Sequence, residues 1–268
     1  MKGMVIDMRL KWFGTATMIM EEDGTKLLFD PFIPTNEEIF QPPVGEMSEV
    51  DNILVTHGHF DHISAIPLVF EQGDGNNKVY CTDTPRETLI HLGIDKQRIQ
   101  SIKPGDVLNI GPFEINVIKG QHVVFDKALL IKTLMSPRIP KYWRKFIDFL
   151  HENKEYPEAG ETVAFNIIVK NKSILILGSL NLDENTKYPR DMDLLVLPLQ
   201  GHSDIADYAM PIVERLQPKK IMLDHFDDSF PPISSSVNTE SFEKLMQDKY
   251  PDVTVIRPQA SLEWLDIF

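Results

Sequence analysis

Apolar and polar residues alternate over Met8 to Trp12, Thr17 to Glu21 and Lys26 to Phe29, and this period of two predicts three strands. Asp23-Gly24, between the last two, is a hairpin signal, and Asp30-Pro31 ends the run. Asn52 to Thr56 (NILVT) is short and nearly all apolar, as expected of a strand covered on both faces. The sequence HGHFDH follows directly. Next come a predicted helix over Ser64 to Gln72, a strand over Lys78 to Thr82 and a helix over Pro85 to Leu92. Short strands return from Arg98 to Lys119, with turns at Pro104-Gly105 and Gly111-Pro112.

The second half repeats the theme. Val163 to Lys170 and Ser173 to Leu177 predict a hairpin across Asn171-Lys172. Leu194 to Leu199 (LLVLPL) and Ile221 to Asp224 read as buried strands, and Thr239 to Tyr250 as a helix. Ile205, Ala209, Ile212 and Leu216 recur at helical spacing, and Pro211 fits that helix only if it starts late, near Asp207. No Gly/Ser linker, low-complexity tract or short repeat interrupts the chain. Two similar strand-then-helix halves predict one domain over residues 1–268, with helices outside packed sheets.

Charge narrows the partners. The 268 residues carry a formal net charge of −13, which disfavours a nucleic-acid partner. The one cysteine, Cys81, excludes an internal disulfide and a Cys-rich zinc module. The opening MKGMVIDMRLKWFG has no secretory apolar core, and no stretch approaches the ~20 apolar residues of a membrane span. The expectation is a cytoplasmic protein with no membrane partner. The charge is unevenly spread, however: Lys119 to Lys154 holds eight Lys/Arg against three Asp/Glu, a local +5 that leaves −18 for the rest. Within it, Tyr142, Phe146, Phe149 and Leu150 form an apolar stripe, with Lys141, Arg144 and Lys145 at its start. This segment reads either as a core-packing helix with a solvated basic face or as a lid, at about 134–158, that draws in an anionic substrate.

The densest chemistry lies in His57-Gly58-His59-Phe60-Asp61-His62. Imidazole and carboxylate are ligands of zinc, manganese and iron. In an extended turn, side chains at i and i+2 point the same way, so His57 and His59 can share one ion. Asp61 and His62 come one step later and reach a second position. A motif at the end of a buried strand sits where loops carry function.

With this motif, with Gly14-Thr15-Ala16-Thr17 and Asp30-Pro31-Phe32 before it and Asp224-His225 after it, the chain resembles the metallo-β-lactamase superfamily over nearly its whole length. Within it, the chain most resembles the branch related to ascorbate-6-phosphate lactonase. The resemblance implies an α/β fold, a four-layer αββα sandwich, and a metal-dependent hydrolase. It implies His122 as the third histidine of the first ion and His225 as the last histidine of the second, joining His57, His59, Asp61 and His62. The cofactor would be one or two divalent ions, zinc first, with manganese or iron as alternatives. Two-metal members usually place a bridging Asp where this chain reads Gly178-Ser179. Serine is a weak, neutral ligand, so the second site should be weaker unless Asp183 or Glu184 reaches back.

His202, in Gln200-Gly201-His202-Ser203-Asp204, falls where relatives carry a substrate loop; it is read as a general acid, an oxyanion donor or a replacement ligand. The implied mechanism is attack by a metal-activated water that Asp61 orients and deprotonates. The substrate would be a small, anionic ester, phosphoester or lactone. A non-hydrolytic metal-binding or ligand-sensing protein is the alternative, because Ser179 replaces the bridging Asp; oxidative chemistry at iron is a third. A homo-oligomer is compatible with the sequence, which contains nothing to specify it.

Overall fold

The computed structural model describes residues 8–124, 126–156 and 160–268. The first seven residues, which the signal-sequence expectation includes, and positions 157–158 of the basic segment lie outside the described residues. The chain opens with β1 (Arg9–Gly14), β2 (Thr17–Glu22) and β3 (Thr25–Phe29). α1 (Val44–Ser48), β4 (Asn52–Leu54), α2 (Phe60–Ile63), α3 (Ile66–Gln72), β5 (Lys78–Cys81), α4 (Asp83–His91) and β6 (Ile99–Ser101) follow. β7 (Val107–Ile110) and β8 (Phe113–Lys119) lead into α5 (Lys127–Leu134), α6 (Arg138–Lys141) and α7 (Trp143–Glu152). The remainder is β9 (Val163–Val169), β10 (Lys172–Ile176), β11 (Leu194–Pro198), α8 (Ile205–Leu216), β12 (Lys220–Asp224), α9 (Glu240–Lys249), β13 (Thr254–Ile256) and β14 (Leu265–Asp266).

These strands form two sheets with the same plan. One runs β14-β1-β2-β3-β4-β5-β6 and the other β13-β12-β11-β10-β9-β8-β7. In each, an antiparallel run is continued by three parallel strands, β4 to β6 and β11 to β13. Alternation explains the layering. Leu10, Trp12, Met18, Met20, Leu27 and Phe29 face the second sheet, where Phe29 meets Phe165 at a centroid distance of 6.1 Å. Phe13, Ile19 and Leu28 point the other way, under α1 to α4, while α8 and α9 cover the second sheet. The expected αββα sandwich is the fold observed.

Local departures have local causes. The helix expected over Ser64–Gln72 is α3, which begins two residues late at Ile66 with Pro67 in its first turn, where a missing N–H costs nothing; a separate turn of helix, α2, starts inside HGHFDH. The second hairpin turns at Lys170-Asn171, one residue earlier than expected; both take positive φ, and Lys172 already pairs with Val169. α8 starts at Ile205, not near Asp207, and keeps Pro211 inside. Pro211 and Asp207, whose carbonyl loses its donor, are both exposed, so the proline sits on the solvent side of the helix, where a lost backbone bond costs least.

The sheets are tied by backbone at one edge. Val163 N donates to Thr56 O (2.9 Å) beyond β4, and His225 N donates to Thr15 O (2.9 Å) beyond β12. Both ties lie at carboxyl ends of strands, the edge where open α/β sheets place their ligands.

Candidate metal centre

Four loops at that edge carry the expected ligands: His57 to His62 after β4, His122 after β8, Ser179 after β10 and His225 after β12. They converge in two groups. Ligand atoms of His57, His59 and His122 lie within 4.8 Å of one another, and so do those of Asp61, His62 and His225. His57 Nε2 stands 3.1 Å from His59 Nδ1, and the His59 and His122 rings are 4.6 Å apart. His225 Nε2 stands 3.0 Å from Asp61 Oδ2, with His62 Nε2 at 3.9 Å from the same oxygen. Two nitrogens at ~2.1 Å from a tetrahedral ion are about 3.4 Å apart, so both groups have spacing and donor types that fit a divalent cation.

A shared support sets the ring orientations. Asp30, at the end of β3, accepts from Thr56 N (2.7 Å) and from Thr56 Oγ1 (2.7 Å), and its Oδ2 is 2.9 Å from His62 Nδ1. Because the Thr56 hydroxyl gives its proton to Asp30, it accepts from His57 Nδ1 (3.1 Å), leaving His57 Nε2 as a lone pair toward the site. His122 is set likewise: Nδ1 donates to Val123 O (2.9 Å), which frees Nε2. Such outer hydrogen bonds fix tautomer and raise ligand basicity. Gly178 is required at the end of β10: a Cβ there would sit 2.6 Å from Thr56 Cβ and 2.7 Å from Val163 O.

The two groups differ in charge. Burial, reinforced by the neighbouring imidazoles, pushes His57 well below the ordinary histidine value, and burial takes His59 to about 4 against the pull of Asp61. Burial also lowers His122. The first group is therefore neutral and ready to ligate at pH 7. In the second group burial opposes both charges, but the mutual contact wins. His62 and His225 hold the Asp61 carboxyl well below the usual range, and Asp61 carries His225 up to about 9. His225 Nδ1 is buried with no hydrogen-bond partner among the described residues. His225 also takes a left-handed φ of 55°, uncommon for a non-glycine residue and frequent at functional sites.

Not every expected residue reaches the centre. Ser179 Oγ accepts from Val123 N (2.9 Å), so it props the His122 loop. Asp183 is turned to Lys119 Nζ (2.8 Å) and to Asn185 N and Thr186 Oγ1, and Glu184 is exposed; neither joins a group. His202 also stays outside both groups. Its ring stacks on Tyr208 at 4.4 Å, and its Nδ1 accepts from Asp204 N (3.2 Å). Cys81 is buried, and burial pushes its thiol up to about 12. The basic segment, by contrast, is anchored around the centre. Phe149 of α7 packs edge-on against Phe60, between His59 and Asp61, and stacks on Phe230 (both 6.0 Å). Arg138 pairs with Asp228, and Lys145 donates to Thr35 O.

Comparison with known proteins gives the family and the fold. A sequence model described as the β-lactamase superfamily domain matches residues 9–223. A UPF0173 metal-dependent hydrolase of Thermococcus kodakarensis is 27% identical, covering 95% of this chain and 99% of that protein. A UPF0173 protein of Pyrococcus furiosus is 30% identical over 43% of this chain and 50% of that protein, so the match spans about half of that relative. Among solved structures, Igni18, a novel metallo hydrolase of Ignicoccus hospitalis, superposes with a TM-score of 0.64 at 16% identity, covering 96% of this chain and 97% of that one. At that identity the likeness is one of fold.

Proposed function

Because the chain belongs to the β-lactamase superfamily, we propose that it is a metal-dependent hydrolase of a small, anionic ester, phosphoester or lactone. The observation that carries this reading is the convergence of two three-residue ligand groups from distant loops on one edge of the sandwich. His57, His59 and His122 would hold one ion and Asp61, His62 and His225 a second. A divalent ion there, zinc first, would polarise the scissile oxygen and bring the pKa of a water toward ~7.

The chain's own groups do the rest. Asp61, ionised throughout the neutral range, accepts a hydrogen bond from the attacking water and orients it; it is a weak base in this environment, so its main contribution is position. Asp30 and Thr56 keep the lone pairs of His57 and His62 aimed inward. His202 accepts at Nδ1, so its neutral ring carries the proton on Nε2, the tautomer that donates to a substrate oxyanion. Phe149 and Phe60 wall the site with apolar surface, and the basic segment between β8 and β9 favours an anion.

One observation favours a second reading, metal binding without turnover: the Ser179 hydroxyl at the usual bridging position is occupied by Val123 N. Metal stoichiometry paired with a hydrolysis screen over phosphodiesters, esters, thioesters and lactones separates the two. The hydrolase reading expects turnover that disappears, with loss of one ion, in His59→Ala, and a firmer second ion in Ser179→Asp. About one ion per chain with no turnover would establish the binding protein instead.

A further inference from the structure

The helical segment between β8 and β9 carries exposed apolar side chains that take no part in the metal centre. Val124, Ile131, Met135, Trp143 and Leu150 are exposed at 68, 57, 80, 56 and 43%. On α5, Lys127 and Ile131, with Met135 just beyond the helix end, follow at four-residue spacing and are all exposed, so one stripe faces outward. On α7, Trp143 and Leu150, seven residues apart, form the open rim of the stripe whose buried part reaches Phe60. Lys127, Lys141, Arg144 and Lys154 flank these residues, are exposed, and form no ion pair among the described residues.

We infer that this segment docks the protein on the surface of an anionic lipid bilayer, with Trp143, Leu150, Ile131 and Met135 entering the headgroup boundary and the four cations meeting lipid phosphates. Aromatic and aliphatic side chains set among Lys and Arg are the composition of an interfacial helix. A second copy of this chain is a poor occupant. A closed two-fold dimer through this face would set the exposed Lys127, Lys141, Arg144 and Lys154 against their own copies. The acidic remainder of the molecule, at −18, orients the segment toward an anionic surface and keeps the rest away. Among the described residues no helix is long and apolar enough to cross a membrane. The expectation of no membrane partner rested on that absence, which does not bear on peripheral contact.

The test is flotation of the full chain with vesicles of equal phosphatidylglycerol and phosphatidylcholine, and with phosphatidylcholine alone. Binding to the anionic vesicles only is expected, weakening at 0.5 M salt, with on the order of tenfold loss in Lys141→Glu/Arg144→Glu. Ile131→Ser/Met135→Ser should weaken binding as well. Of the three tryptophans, Trp12 is buried and Trp264 half-buried, so a blue shift of emission on binding should come from Trp143 and vanish in Trp143→Phe. This readout on the wild-type protein does not depend on the folding of the charge variants. No flotation, flotation equal on both vesicle types, or a dimer by light scattering that the same variants dissolve would each overturn the assignment.

Discussion

In the metal-free protein the His225 imidazole keeps a proton that a second ion must displace. Its pKa is carried up to about 9 by Asp61, so it is charged at pH 7, whereas His59 at about 4 and the still buried His57 are neutral. The sign follows. Binding at Asp61, His62 and His225 releases about one proton at pH 7 and strengthens roughly tenfold per pH unit until pH passes 9. Binding at His57, His59 and His122 releases almost none and is flat between pH 6 and 8. Calorimetric titration in buffers of different ionisation enthalpy should resolve a silent event and a proton-releasing one. At this scale HGHFDH was fully legible, since three imidazoles and a carboxylate in six residues have few other uses. Asp30 and Thr56 were not. Asp30-Pro31 reads as a turn and Thr56 as the end of a strand, and only the parallel pairing of β3 with β4 brings the carboxylate to the hydroxyl.

Among the elements, the close approach of β10 to β4 is the tightest constraint. Gly178→Ala would drive a methyl into Thr56 and the Val163 carbonyl, and should destabilise the protein by about 2 kcal/mol in urea unfolding while loosening the ion held by His57. The strands of both halves were legible from alternation and apolar runs, because their periods are local. Several elements were not, α2 and α5 among them. α1 is a five-residue turn with no period to detect, β14 is two residues long, and β13 owes its place to pairing with β12. Pro211 misled for the same reason: the rule against proline in a helix weakens on the solvent side, and exposure is a property of the packed helix.

For the whole molecule, each group of ligands draws on both sheets: His57 and His59 from one with His122 from the other, and Asp61 and His62 with His225. A bound ion would therefore join the two halves as well as serve chemistry. Stripping metal with a chelator should remove about 3 kcal/mol at a hundredfold excess over the dissociation constant, lowering the calorimetric midpoint by roughly 5–10 °C. Excess zinc should restore it. Convergence across the sandwich was invisible in any single stretch of sequence; only the family resemblance brought His122 and His225 to the cluster, and the αββα arrangement is its physical reason. That arrangement also couples the two ion positions. The carboxylate of Asp30 holds one ring of each, His62 directly and His57 through a hydroxyl. With one fulcrum under both pans, filling either position would tilt the other, so where two ions bind they should load as partners rather than as independent lodgers.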